Sequence, residues 1–214
     1  MKIVYARVRQ LLLVPLVIST LSSCSTQPDP KATVISELIA KSVREYASRT
    51  RYQKLDVPTL NGIADDRLEQ AIVDYVDYKV GGDYASERKI VDGLSPGIRA
   101  LYITWRLEAE VGNGGFNQYF WNSAGQFADS AINSFEFFNA IEHAAVVREA
   151  LAVRQAEAQL MAEFKRDGTI EAFSKSYKHS KLAPVDQKFF ATNEKLSALR
   201  IAKIRSQVEL FVGD

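Results

Sequence analysis

After residue 33 apolar residues return every three or four positions along nearly the whole chain, and nowhere do they alternate one by one over the length of a strand. A spacing of three to four stacks side chains on one face of a helix, whereas a half-buried strand needs a period of two. The expected fold class is therefore all-α, a single multi-helix domain over residues 34–214. The chain has one cysteine, Cys24, so no disulfide can form within it and the helices must be held by packing alone.

The pattern predicts a first helix from Val34 to about Arg51, then a loop marked by Pro58 and Asn61-Gly62. Asp66 and Glu69 have the spacing of a capping box ahead of Leu68, Ile72, Tyr75 and Val76, and Gly81-Gly82 stops that run. Ser95-Pro96 opens another helix, with Ile98, Leu101, Tyr102, Trp105 and Ala109 as its buried stripe. Further helices are expected at Phe116–Asn122, Phe127–Ile141, Ala144–Lys165 (with one apolar gap at Glu157), Ile170–Tyr177 and Val185–Phe211. In the last, Ile201, Ile204, Val208 and Phe211 form the apolar stripe.

The N-terminus follows another logic. Lys2, Arg7 and Arg9 precede an apolar run from Leu11 to Leu21, and no acidic residue occurs before Asp29. The run is shorter than the roughly 20 residues of a membrane-spanning helix and has the flanks of a secretory signal peptide. Its end, Leu21-Ser22-Ser23-Cys24, resembles the lipobox of bacterial lipoproteins. That resemblance implies a cleaved signal peptide over 1–23 and acylation of the Cys24 sulfur. It also implies a lipidated tether over 24–33, with Ser25 directing the product to the outer membrane, facing the periplasm. Cleavage of 23 of the 214 residues removes three of 27 basic residues and none of 26 acidic ones, leaving a net charge of −2. Such a balance gives no global field toward nucleic acid. Residues 56–92 carry nine acidic and four basic residues, while residues 165–214 carry ten basic and six acidic ones. These are expected to be solvated helix faces, and would largely neutralise one another if they packed together.

The least ordinary stretch runs from Glu108 to Gly125 and contains four glycines, with Gly114 and Gly115 adjacent. A glycine pair suits backbone at positive φ or a close chain approach. Gly112 is expected to end the Ser95 helix, Gly114-Gly115 to form a tight corner, and Asn113 to cap the aromatic helix that follows. Phe116, Tyr119 and Phe120 then share one face. The amides of Asn113, Gln118 and Asn122 flank the corner, where they can satisfy its backbone groups or receive a partner.

Glu110, Asn113, Gly114, Gly115, Phe116, Gln118, Tyr119, Phe120, Asn122, Ser123 and Gly125 resemble the motif of the DNA-mimic-protein-like domain family. The resemblance continues weakly through Phe138–Ile141 and the helix around Ala150, spanning about Ser95 to Phe164. Gly112 stands where the family has asparagine, and Glu142-His143 where a Gly-Ala follows the isoleucine. The resemblance implies a helical domain and, from the family's named member, an acidic cytoplasmic mimic of DNA that engages DNA-binding proteins. Such mimicry needs a dense negative array, which a net charge of −2 and an exported chain do not provide.

Enzyme signatures are sparse. His143 and His179 lie far apart, without the spacing of a zinc site, and no nucleophile elbow, phosphate loop or dinucleotide fingerprint occurs. Glu108 and Glu110 could supply acid–base chemistry to an envelope hydrolase, but two residues apart on a helix they point in different directions. The expectation is a non-enzymatic, lipid-anchored domain without cofactor or metal that binds another protein at the membrane surface. Its candidate site is the corner of Asn113, Gly114, Gly115, Phe116, Gln118, Tyr119 and Asn122.

Overall fold

The computed structural model describes residues 30–214, with side chains from Val34 onward. The expected signal peptide, Cys24 and most of the tether lie outside the described residues. The chain divides into two compact units, Met1–Thr50 and Arg51–Asp214. Eleven α-helices and no strand occur among the described residues, an all-α architecture.

Within the first unit the described structure is helix α1, Pro30–Ala47. It starts at Pro30, four residues before the expected Val34, and ends before Arg51. Proline is well placed there, because the first helical N–H has no partner inside the helix in any case.

The second unit is organised around α5, Pro96–Trp121. Helices α2 (Val57–Gly62), α3 (Asp65–Val80) and α4 (Glu87–Asp92) precede it. After it come a 3₁₀ turn at Ser123–Phe127 and helices α6 (Ala128–Phe137), α7 (Ile141–Ala156), α8 (Ala158–Asp167), α9 (Ile170–His179), α10 (Ala183–Ala191) and α11 (Leu196–Ser206). A 3₁₀ turn at Val208–Phe211 closes the chain. Helices α3, α4, α6, α9 and α10 and both 3₁₀ turns pack on α5. Its core side is Ile98, Leu101, Tyr102, Thr104, Leu107 and Val111; Trp105 and Ala109, expected on that stripe, are half-buried. The ends of the unit are joined by paired backbone hydrogen bonds between Leu55 and Gly213, both 2.8 Å.

Several boundaries differ from the sequence expectation, each for a traceable reason. The expected loop at Pro58 and Asn61-Gly62 is helix α2, because the Asp56 carboxylate accepts the Thr59 N–H at 2.9 Å and proline occupies the first turn. Helix α3 starts without a side-chain cap; Glu69 turns away from the expected capping box to accept from Ser197 and Arg200. Gly81, at φ 58°, does end α3. The expected long helix from Ala144 breaks at Glu157, whose carboxylate accepts from Ser180 Oγ at 2.9 Å and the Lys181 N–H at 2.7 Å. The expected final helix from Val185 to Phe211 is α10, α11 and a 3₁₀ turn. Its first break falls at Thr192–Lys195, because Glu194 turns inward to accept the first N–H groups of α7, from Glu142 at 2.9 Å and His143 at 3.0 Å. The Glu142-His143 departure from the family pattern thus falls in the first turn of α7, directly after its first residue, Ile141.

The acidic and basic segments meet. Helix α11 packs on α3, with Arg205 on Asp65 at 2.8 Å and the buried Arg200 on Glu69 at 3.2 Å. The same Arg200 reaches Glu108 at 2.8 Å and donates from Nε to the buried Thr104 Oγ at 3.0 Å.

Candidate functional site: a glycine kink in the central helix

Helix α5 does not end at Gly112. Gly112 and Asn113 continue it, and the helical backbone is interrupted only at Gly114 (φ −152°, ψ 26°) and Gly115 (φ 71°, ψ −176°) before it resumes at Phe116. Gly115 occupies a region open essentially to glycine alone. The interruption frees groups that an unbroken helix would pair internally. The Phe116 N–H donates to Asp186 Oδ1 on α10 at 2.7 Å, and the Gly114 carbonyl accepts from the Tyr177 hydroxyl on α9 at 2.8 Å. One turn on, the buried Asn117 donates to Ser176 Oγ at 2.8 Å, and Ser176 donates to the Phe173 carbonyl at 2.6 Å. Burial pushes the Asp186 carboxyl above its ordinary range, partly offset by the Phe116 N–H that favours the charged form. Burial likewise raises the Tyr177 phenol.

The surrounding space is equally restrictive. A methyl group on Gly115 would lie 2.3 Å from Asp186 Oδ2, and one on Gly114 would lie 2.3 Å from Gln118 Oε1 and 2.8 Å from the Tyr177 hydroxyl. On the solvent side Asn113 donates to Gln118 Oε1 at 2.8 Å. Gln118 and Asn122 both donate to Glu110 Oε2, at 2.7 and 2.9 Å. Asn113 and Asn122 are exposed, while Glu110 and Gln118 are half-buried.

Phe116 and Tyr119 face inward and belong to the core, with Phe120 half-buried beside them. The Phe116 ring meets Phe189 edge-on at 5.5 Å, and Tyr119 lies 5.1 Å from Phe120. Burial drives the Tyr119 phenol well above its ordinary range. These two residues hold the corner to the core and are not open to a partner. The candidate residues therefore divide into amides outside, aromatics inside and glycines between.

Sequence reasoning missed Asp186, Tyr177 and Ser176, all distant in the chain and without local pattern. It also missed a buried polar group beside α5. There the fully buried Glu87 accepts from the Tyr102 hydroxyl at 2.6 Å and from Gln126 at 2.8 Å, with Arg106 4.0 Å away.

Neither carboxylate singled out for acid–base chemistry faces the other. Glu108 pairs with Arg200, while Glu110 serves the two amides. A relay-like array does occur elsewhere: His143 Nδ1 lies 2.7 Å from Glu194 and Nε2 lies 2.9 Å from Thr192 Oγ. A nucleophile so activated needs a donor for the oxyanion. The N–H following Thr192, that of Asn193, is taken by the Glu142 carboxylate at 3.1 Å, and the hydroxyl itself donates to the Phe189 carbonyl at 3.1 Å. Stacked on Phe135 and edge-on to Phe189, His143 packs the α7 terminus against the loop after α10. No cluster of three or more metal-binding side chains occurs among the described residues.

Fold and site together define a class: a helical domain built on a glycine-kinked central helix whose frayed turn is capped from two later helices. The chain belongs to the DMP19-like protein family, whose model matches residues 92–207. That span reaches past Phe164, where the motif resemblance ended, and takes in Tyr177, Asp186, Glu194 and Arg200. No curated protein and no solved structure matches the chain.

Proposed function

We propose that this is a lipoprotein of the bacterial envelope, anchored through Cys24 in the outer membrane and facing the periplasm, whose helical domain binds another protein at the membrane surface. The sequence around Cys24 supports the anchor. The docking half rests on one observation: Asn113 and Asn122 are exposed, yet both are fixed to the Glu110 carboxylate, directly or through Gln118. Groups already ordered lose little entropy on association, which favours them as contacts. DNA mimicry has less support here, because Asp65 and Glu69 of α3 are paired with Arg205 and Arg200 of α11.

Two measurements test the two halves. A clickable fatty acid fed to cells should label the wild-type protein and not Cys24→Ala; an unlabelled wild type sinks the anchor. A photoreactive residue at position 122 should give a discrete adduct with one envelope protein. The same probe at Glu209, next to the Leu210 and Phe211 groups that pack on Gly97 at the far end of α5, should not. No adduct from 122, or equal adducts from both positions, sinks the docking surface.

A further inference from the structure

The exposed large hydrophobic residues are unevenly placed. Five of thirteen fall within ten residues of α1: Val34, Ile35, Leu38, Ile39 and Val43, each between 43 and 58 % exposed. At 100° per residue they occupy about half the helix circumference, with Ser42, Glu45 and Tyr46 inside the same arc, Lys41 at its edge, and Glu37 and Arg44 opposite. An apolar face of that size on one helix calls for a cover.

We propose that α1 lies along an anionic phospholipid surface with this face buried among the acyl chains. The proposal builds on the anchoring reading, though its chemistry is independent of acylation. Three observations select a bilayer as the occupant. Residues 30–51 carry five basic and two acidic residues, a net charge of +3 in a chain otherwise near balance. Basic amphipathic helices with broad apolar faces bind in the plane of anionic membranes. The proposed lipid site is close, because only five residues separate Cys24 from Pro30, a reach of at most about 20 Å. The shape of the stripe also disfavours a second copy as cover. A coiled-coil seam is narrow, with apolar residues at alternate three- and four-residue steps, whereas this face is wide and has Ser42 near its middle. Laid on the membrane, α1 fixes the direction of the chain from its very start, where an acyl tether alone would let it swing.

The test uses the chain from Ser25 onward, produced without its leader and hence without an acyl group, co-sedimented with phosphatidylglycerol–phosphatidylethanolamine vesicles. It should pellet with these vesicles, less with neutral phosphatidylcholine vesicles, and less in high salt. The double variant Leu38→Glu/Ile39→Glu should lower the partition coefficient by at least about tenfold, since burial of even one large aliphatic side chain contributes that much. Wild-type chain remaining in the supernatant, a variant that pellets equally, or equal binding to neutral vesicles would each overturn the proposal. So would a wild-type dimer in gel filtration that the same variant dissolves. Because the probe carries no lipid, failure here leaves acylation of Cys24 standing, and an unacylated Cys24 leaves this membrane binding standing.

Discussion

Replacement of Gly115 by alanine probes the kink most directly, and its cost has two separable parts. Gly115 lies at φ 71° and ψ −176°, where a side chain introduces backbone strain of about 1–3 kcal/mol. The new methyl group would also sit 2.3 Å from Oδ2 and 2.7 Å from Cγ of Asp186, so the carboxylate must swing away. The Phe116 N–H then loses its cap, at about 0.5–2 kcal/mol. Together the two give about 1.5–5 kcal/mol, or roughly 3–20 °C in Tm for a domain of this size. Urea unfolding followed by far-ultraviolet circular dichroism reads the change as a lower midpoint at constant slope. Asp186→Ala removes the cap without the strain and should cost only about 0.5–2 kcal/mol. The double variant should cost less than the two single changes summed, because the cap is lost only once. A Gly115→Ala protein within about 0.5 kcal/mol of wild type, or a strictly additive double variant, would refute the coupling of kink and cap.

Other substitutions test the rest of the fold by the same assay. Gly112→Ala should raise stability by about 0.5–1 kcal/mol, because the position is exposed, helical and open around its Cβ; a loss would mean that the helix does end there. Arg200→Met should cost about 3–5 kcal/mol by leaving the Glu69 and Glu108 carboxylates without their shared cation, and adding Glu69→Gln should recover part of it; no recovery would show that the arginine acts by packing alone. Burial pushes the Glu194 carboxyl up, but the His143 and Glu142 N–H groups and the His143 ring outweigh it and hold the carboxyl below its ordinary range. Such a group adds stability above its unfolded-state pKa and loses it as pH falls through its folded-state pKa. Glu194→Gln should therefore be less stable than wild type near neutrality, with the gap closing in acid below the usual carboxylate range; a gap independent of pH would refute the pairing.

What could be read from the sequence divides by distance along the chain. The all-α class, the stop at Gly81, the start at Ser95-Pro96 and the corner at Gly114-Gly115 are all signalled within a few residues. Even the break at Glu157 shows as a gap in an apolar stripe. The split between α10 and α11 does not, because its cause is a carboxylate reaching a helix start 52 residues earlier. The expectation that Gly112 ends a helix failed for a related reason. An exposed glycine costs a helix only about 1 kcal/mol, too little to end one whose other face is buried.

The candidate site was legible in the same half-complete way. Its outer amides and inner aromatics are consecutive in the chain, so the stretch stands out. Asp186 stands 70 residues from Phe116 and nothing around it announces a cap. Yet the two halves account for one another. Gly115 must lack a side chain because Asp186 fills the volume a Cβ would take, and Asp186 is drawn in because the kink at Gly115 frees the Phe116 N–H. The glycine pair reports a bend; only the packed α10 explains why the bend is stable. A chain that kept Gly114-Gly115 but lost the aspartate would keep the freedom to kink while losing the group that fixes the kink in place.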